Sequence, residues 1–579
     1  MRQIRWTGNP FVDAGLAALA AAAGVSSLDR LGEQHLNRAC EELSRIVLSD
    51  QALGLGIAGK AFVKGALSQI FPNSELVNPS HWKGGEATTA KSKFISALGE
   101  DLARAKACLR SSGGEVSCTA CGGRYPSDLT VVLRKDKMPL LVGGVNFYPG
   151  LAYGAEVCGL CALAVRFLPM SVMRTGVTNR LWFLHSQSPA VASTISRTYG
   201  WQHFNQAIAR NEPLDFFGQW RTAGDAGTVI YLLCELLERF GTELEAAYAD
   251  PLPTVAYVFS NDNRSPFVNP LPVPNELLRF LVKLRLESER AFKRFWNELL
   301  VIRDRSADGD GQRRQPVRFV TNVADRLLAS QSIIGQCLDP SGVGLRGGWI
   351  GHRRYLMEVQ SMPVSRLAIL ERLGVEIARS DEARKIINEL QGARAGNEVY
   401  ATLLRLVRAG RLNHQEFYTL LPPGEDTSAS EVRDILLAVI YEWQRCQQEG
   451  EEFPTLAEYP ELTADETLAR IQQVGQRLLD GLPNRGRWVG QLQTARSTDR
   501  IRATYLTAVQ RGALRFEDFV FLAPLGQRQR VWLLRDYLLA FLFDKAREEL
   551  PVEVIEEEIT VGQEAARGEL DETYSGGVA

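Results

Sequence analysis

The chain has 579 residues, 45% hydrophobic and 23% charged, an ordinary globular balance with length for about three to five domains. No apolar run reaches the ~18 residues that a membrane span needs, so no membrane partner is expected. The net charge of −2 conceals an asymmetry: residues 1–200 carry 21 Lys+Arg against 14 Asp+Glu, whereas residues 551–579 carry one Arg against eight acids.

The stretch "LAALAAAAG" at 16–24 reads as a buried helix and not a signal peptide, because Asp13 precedes it and no basic segment frames it. Residues 28–48 and 88–109 show helical apolar spacing, with a polar, turn-rich stretch at 71–91 between them. Short β-branched runs then appear at 128–149. Residues 190–300 return to helix, interrupted by a strand and a proline- and asparagine-rich loop at 255–274. The segment 303–316, "RDRSADGDGQRRQP", has no periodicity and is expected to be a mobile loop.

From residue 362 onward the texture is helical and self-similar. Laying 398–443 over 500–545 without a gap gives 15 identities in 46 positions, among them Gly410/Gly512, Phe417/Phe519, Pro422/Pro524, Arg433/Arg535 and Asp434/Asp536. The reading is therefore α+β: a mainly α part at 1–355 with a small β zinc-ribbon-like insert at 116–165, then an all-α helical bundle at 362–550 with this internal repeat. The acidic tail at 551–579 is expected to be disordered.

Nine cysteines in a chain of this length suggest a reducing compartment. Four form two pairs, Cys118/Cys121 and Cys158/Cys161, spaced C-x2-C-x36-C-x2-C. Two such knuckles deliver four thiolates, the donor set of a closed structural Zn²⁺ site. A redox CxxC would want a thioredoxin-like βαβ setting, which the flanking pattern lacks. The sequence holds no P-loop, HExxH, G-x-S-x-G or dinucleotide fingerprint, so no enzyme activity is expected.

The N-terminal string "WTGNPFVDAGLAAL", the two CxxC pairs and "YVFSNDNRSPFVNPLP" at 257–272 occur in that order. Together they resemble the CXXC–CXXC class of large subunits of type I-B CRISPR Cascade complexes, over roughly residues 1–350. The resemblance implies a non-catalytic subunit that reads the PAM on duplex DNA, starts unwinding, supports the R-loop and contacts the guide RNA 5′ end. It also implies backbone and foot subunits as partners, and recruitment of a helicase-nuclease or a transposition module. The C-terminal helices would resemble the small subunit, which an internal start at Met357 or Met362 would also produce separately. Beside this stands an alternative, a zinc-ribbon-containing protein–protein adaptor or accessory protein without direct DNA reading.

Two loops offer groups that a duplex contact needs. One holds Asn78, His81, Trp82, Lys83, Gly84, Gly85, Lys91 and Lys93; the other holds Asn261, Asn263, Arg264 and Asn269. Ordinary surface turns explain the same composition. For a displaced strand the candidates are Arg405, Arg408, Arg411, Arg485, Arg487, Arg528 and Arg530. A solvated helix face explains these equally. The 54 arginines against 12 lysines suit phosphate contact, and GC-rich coding gives the same excess.

Overall fold

The computed structural model describes residues 3–549 apart from 56–61, 83–86, 135–136, 140–153, 176–179, 219–223, 262–265, 301–315, 340–343, 423–428, 457–464 and 483–484. The chain divides into two compact units, Met1–Gln331 and Ser332–Ala579. The boundary expected at 355–362 falls inside the second. The protein is mostly helical with small β sheets. No helix among the described residues is long and apolar enough to cross a membrane. The expected mobile loop lies outside the described residues except for its last residue, and the expected acidic tail lies wholly outside them.

The first unit runs α1 (Pro10–Ala23), α2 (Glu33–Val47), α3 (Asp50–Leu53), α4 (Phe62–Gly65), α5 (Thr88–Arg110), β1 (Val116–Ser117), β2 (Arg124–Tyr125), β3 (Thr130–Leu133), β4 (Ala155–Cys158) and α6 (Gly159–Arg166). It continues with β5 (Met173–Arg174), β6 (Leu181–Ser186), α7 (Pro189–Ile195), α8 (His203–Ala209), α9 (Gly224–Ala249), β7 (Thr254–Ser260), β8 (Phe267–Val273), α10 (Asn275–Glu287), α11 (Glu289–Leu299) and α12 (Pro316–Leu328).

Helix α1 is the spine of this unit. Asn9 caps it by accepting from the Phe11 and Val12 N–H groups at 3.1 and 3.2 Å, and Pro10 opens the helix where no N–H is needed. Eleven of its fourteen residues are buried, as a helix apolar on every face requires. Gly15 lets it touch α6 backbone to backbone: a Cβ there would sit 2.0 Å from the Ala164 carbonyl oxygen. Gly159 does the same between α6 and α5, where a Cβ would sit 2.5 Å from the Arg104 Cβ. Helix α6 is thus held between α1 and α5.

Strands β5-β6-β7-β8 form an antiparallel sheet in that order. Phe11 packs on its face against Phe183 and Phe259, with ring centroids 5.1 and 5.6 Å away. Asp13 is buried and accepts from the Thr7 and Gly8 N–H groups at 2.7 and 3.0 Å, and it meets His185 Nε2 on β6 at 3.0 Å. The T-G-N-P-F-V-D string therefore joins the spine helix to the sheet. Pro270 and Pro272 lie on β8, an edge strand, where a missing N–H costs no ladder bond.

The second unit opens with α13 (Ile334–Cys337), β9 (Leu338–Asp339), β10 (Gly344–Leu345) and α14 (Trp349–Glu358). Five helices follow: α15 (Val364–Arg379), α16 (Ala383–Gly392), α17 (Gly396–Arg408), α18 (His414–Leu420) and α19 (Ala429–Glu449). Five more follow among the described residues: α20 (Glu466–Gly481), α21 (Arg485–Thr494), α22 (Thr498–Gln510), α23 (Phe516–Leu522) and α24 (Arg528–Glu549). The first four helices of each set have the same bounds at a spacing of 102 residues. Local bonds recur at that spacing too. Gly410 and Gly512 end α17 and α22 with φ of 73° and 74°. Arg433 donates to the Ala393 carbonyl at 2.6 Å and Arg535 to the Ala495 carbonyl at 3.3 Å.

Candidate metal centre and nucleic-acid contacts

The four-cysteine cluster is assembled by two short ladders and one helix start. Strands β1 and β2 pair antiparallel and carry the first knuckle between them. Within it the Cys118 N–H donates to the Gly123 carbonyl at 2.8 Å and the Gly122 N–H to the Cys118 carbonyl at 2.9 Å. Gly122 has φ 68°, a turn conformation that favours glycine. Strands β3 and β4 pair with Thr130 opposite Cys158. The Thr119 N–H donates to the Glu156 carbonyl at 2.9 Å and ties the first knuckle to β4. Cys158 caps α6 and Cys161 lies in its first turn.

The sulfur atoms of Cys118, Cys121, Cys158 and Cys161 all lie within 4.8 Å of one another, so the four cysteines are positioned to hold a metal ion. Three are buried and Cys121 is exposed. All nine cysteines are free thiols, so no disulfide competes for these four. Four thiolates this close repel one another, so without a cation to share they would not ionise together. Cys121 is held low by bonds from Cys118, Cys158 and Cys161. Its neighbours are held up: Cys118 and Cys161 well above the usual thiol range, and Cys158 to about 12, chiefly through its bond with Cys108. A bound dication would draw all four below the ordinary thiol range and deprotonate them.

Cys108 is a fifth thiol, on α5, that sequence spacing did not single out. A bond from Cys158 brings it down to about 7 against the effect of burial, helped by the Gly159 and Leu160 N–H groups. At the far end of α6, Arg166 donates to Asp101 at 2.5 Å and to both Glu75 oxygens at 3.2 and 3.3 Å. This network anchors α6 to α5 and to the 71–82 segment. Nothing in the spacing of Glu75, Asp101 and Arg166 signals it.

The first candidate duplex loop is largely tied down. Asn78 caps a short 3-10 turn and accepts from the Ser80 N–H at 3.0 Å. His81 Nδ1 lies 2.8 Å from the Glu75 carbonyl. The Trp82 indole donates to the Leu76 carbonyl at 2.8 Å, and the Lys64 ammonium sits 3.9 Å above its ring. Lys91 and Lys93 lie on α5 and not on the loop; Lys91 is 3.9 Å from Asp50, and Lys93 is exposed. Lys83, Gly84 and Gly85 lie outside the described residues.

In the second loop Asn261 is buried and donates to the Ile70 carbonyl at 2.7 Å. Asn269 is exposed on β8, and Asn263 and Arg264 lie outside the described residues. Among the arginines, Arg405 pairs with Glu389, and Arg411 lies 3.6 Å from Glu382. Arg408 is half-buried near the end of α17. Arg485, Arg487, Arg528 and Arg530 are exposed at the starts of α21 and α24. Compared with protein-family models, with curated proteins and with solved structures, the chain matches none.

Proposed function

We propose that the chain is a non-catalytic protein–protein adaptor built on a metal-stapled fold. The observation that carries this reading is the closed cysteine cluster at the head of a locked helix. Four thiolates complete a tetrahedral shell and leave no position for substrate, which suits a structural role. The donor chemistry points to Zn²⁺, and the two-ladder insert is a zinc-ribbon variant whose second knuckle opens α6. The second unit is a tandem duplication of a five-helix module, supported by the shared helix bounds and the 15 identities. Several side chains suited to nucleic acid are committed internally, notably Asn261, Trp82, Arg405 and Arg411.

A second reading is the Cascade-type large subunit. It is favoured by the ordered N-terminal, cysteine and "SNDNRSPFVN" motifs and by the exposed Arg485, Arg487, Arg528 and Arg530. In that case Zn²⁺ would still be structural, and the partners would be guide RNA and duplex target DNA.

Salt-titrated binding of the full chain to single-stranded DNA, duplex DNA and RNA separates the two. The adaptor reading predicts weak binding with a shallow dependence on salt. A log–log slope of about −0.7 or steeper per single-strand phosphate contact, flattened by replacing those four arginines with alanine, would overturn it in favour of the second reading.

A further inference from the structure

A fifth sulfur joins the cysteine cluster where α5 passes the start of α6. Cys108 lies in the last turn of α5 and is 1% exposed. Its Sγ lies 3.6 Å from the Leu129 carbonyl oxygen, and Leu129 precedes Thr130, the strand partner of Cys158. One turn back along α5, Arg104 lies so close to α6 that a Cβ on Gly159 would sit 2.5 Å from the Arg104 Cβ. Cys108 bonds with Cys158 and accepts from the Gly159 and Leu160 N–H groups that open α6. Yet it is not one of the ligand set. The sulfurs of the two cysteine pairs lie mutually within 4.8 Å, and Cys108 falls outside that group.

The chemistry of a tetrathiolate gives that contact a task. Four thiolates around Zn²⁺ carry excess negative charge, and charge on a buried sulfur is costly unless a donor meets it. Cys121 is exposed, and the Gly123 N–H and the Tyr125 hydroxyl, at 3.9 Å, also reach it. Cys158 is fully buried, and Cys108 is at its side. A ligating sulfur has given up its proton, so the one proton left between this pair belongs to Cys108. Its S–H has two acceptors in reach, the neutral Leu129 carbonyl and the Cys158 thiolate, and a charged acceptor forms the stronger bond. The two N–H groups on the Cys108 sulfur polarise its S–H and strengthen it as a donor.

We infer that Cys108 is a positioning residue of the metal centre: its S–H donates to the Cys158 thiolate, offsets charge on that buried ligand and so tightens the hold of the two cysteine pairs on the metal. The inference rests on the reading of the cluster as a closed structural Zn²⁺ site. It ties α5 to the centre as well as α6, since the donor and the ligand it serves lie on the two sides of their closest approach.

Competition with a chromogenic chelator on the full zinc-loaded chain tests it, with Cys108→Ala beside Cys108→Ser. Alanine and serine are close in size, and only serine keeps a donor. Removing an outer partner of a metal ligand weakens metal binding about 10–100-fold. Cys108→Ala is expected to hold zinc about tenfold more weakly than the native chain, and Cys108→Ser to recover most of that loss. Cobalt(II) in place of zinc adds a spectroscopic readout. The thiolate-to-metal charge-transfer band moves to lower energy in Cys108→Ala, because a thiolate without its hydrogen bond gives up an electron more easily, and it moves back in Cys108→Ser. Cys108→Val is a second donor-free variant should the alanine chain misfold. One zinc per chain held equally by the native, alanine and serine chains would overturn this inference alone. Equal weakening by alanine and serine, with the cobalt band unmoved, would also overturn it and assign Cys108 to packing. A native chain that takes up neither zinc nor cobalt would overturn the metal-centre reading and this inference with it.

Discussion

Replacing Arg166 with methionine keeps the apolar stem and removes the guanidinium that bridges Glu75 and Asp101. Both carboxylates are largely shielded, at 16% and 5% side-chain exposure. Breaking a buried pair from one side costs about 3–5 kcal/mol, because the remaining charge stays desolvated. Arg104 still reaches Asp101 at 3.2 Å and Lys137 lies 4.0 Å from Glu75, which places the expected loss near the lower end, about 3 kcal/mol. The loss depends on pH. Burial pushes Glu75 up, but the charge and bonds of Arg166 outweigh burial and hold it below its ordinary 4.5. A carboxylate held low in the fold contributes stability above its unfolded pKa, and that contribution fades as pH falls through the folded value. The gap between native and variant chains is therefore full at pH 7 and narrows below about pH 4.5. Urea titration followed by tryptophan fluorescence at pH 7 and pH 4 measures it. A loss under about 1 kcal/mol at pH 7, the scale of an exposed pair, or a loss equal at both pH values, would refute the reasoning.

Gly15→Ala places a methyl 2.0 Å from the Ala164 carbonyl oxygen. Since that contact is backbone to backbone, α1 must move off α6 at a cost of about 3 kcal/mol or more, visible as a lower urea midpoint. Asn261→Ala leaves the Ile70 carbonyl without this donor and lowers stability by about 1–3 kcal/mol. Any effect of this change on DNA binding should scale with that loss, and a selective binding defect at unchanged stability would contradict its core placement. Tyr418→Phe removes the bond to Asp465 between the two five-helix sets. It costs about 1.5–3 kcal/mol, the scale of a hydrogen bond to a carboxylate, read from the thermal unfolding of the second unit.

Much of the architecture is legible in local pattern. The CxxC spacing marks the cluster because two pairs of thiols need only short knuckles and a ladder to converge. The helical texture after residue 362 and the 102-residue self-similarity also stand in the sequence, and the structure extends equal helix bounds back to α15 and α20. The sheet was harder to see. Strand β6, "LWFLHS", is buried at five of six positions, so it lacks the alternation that marks a half-exposed strand. Burial also hides the role of single residues. Asn261 has the polarity of a base reader yet serves the Ile70 carbonyl, and Arg405 sits where only the fold reveals Glu389. Cys108 belongs beside the cluster because α5 passes there, a tertiary fact without a sequence signature.

The claim at the centre of the account is that four cysteines form one closed metal site that locks α6. Native mass spectrometry of the full chain purified without chelator tests it, beside a Cys118→Ser/Cys161→Ser variant. The account predicts one Zn²⁺ per native chain and none in the variant, with Cys118, Cys121, Cys158 and Cys161 resisting alkylation until chelator is added. A native chain that carries no metal after zinc is supplied, with exposed Cys121 alkylated at the same rate with and without zinc, would contradict it.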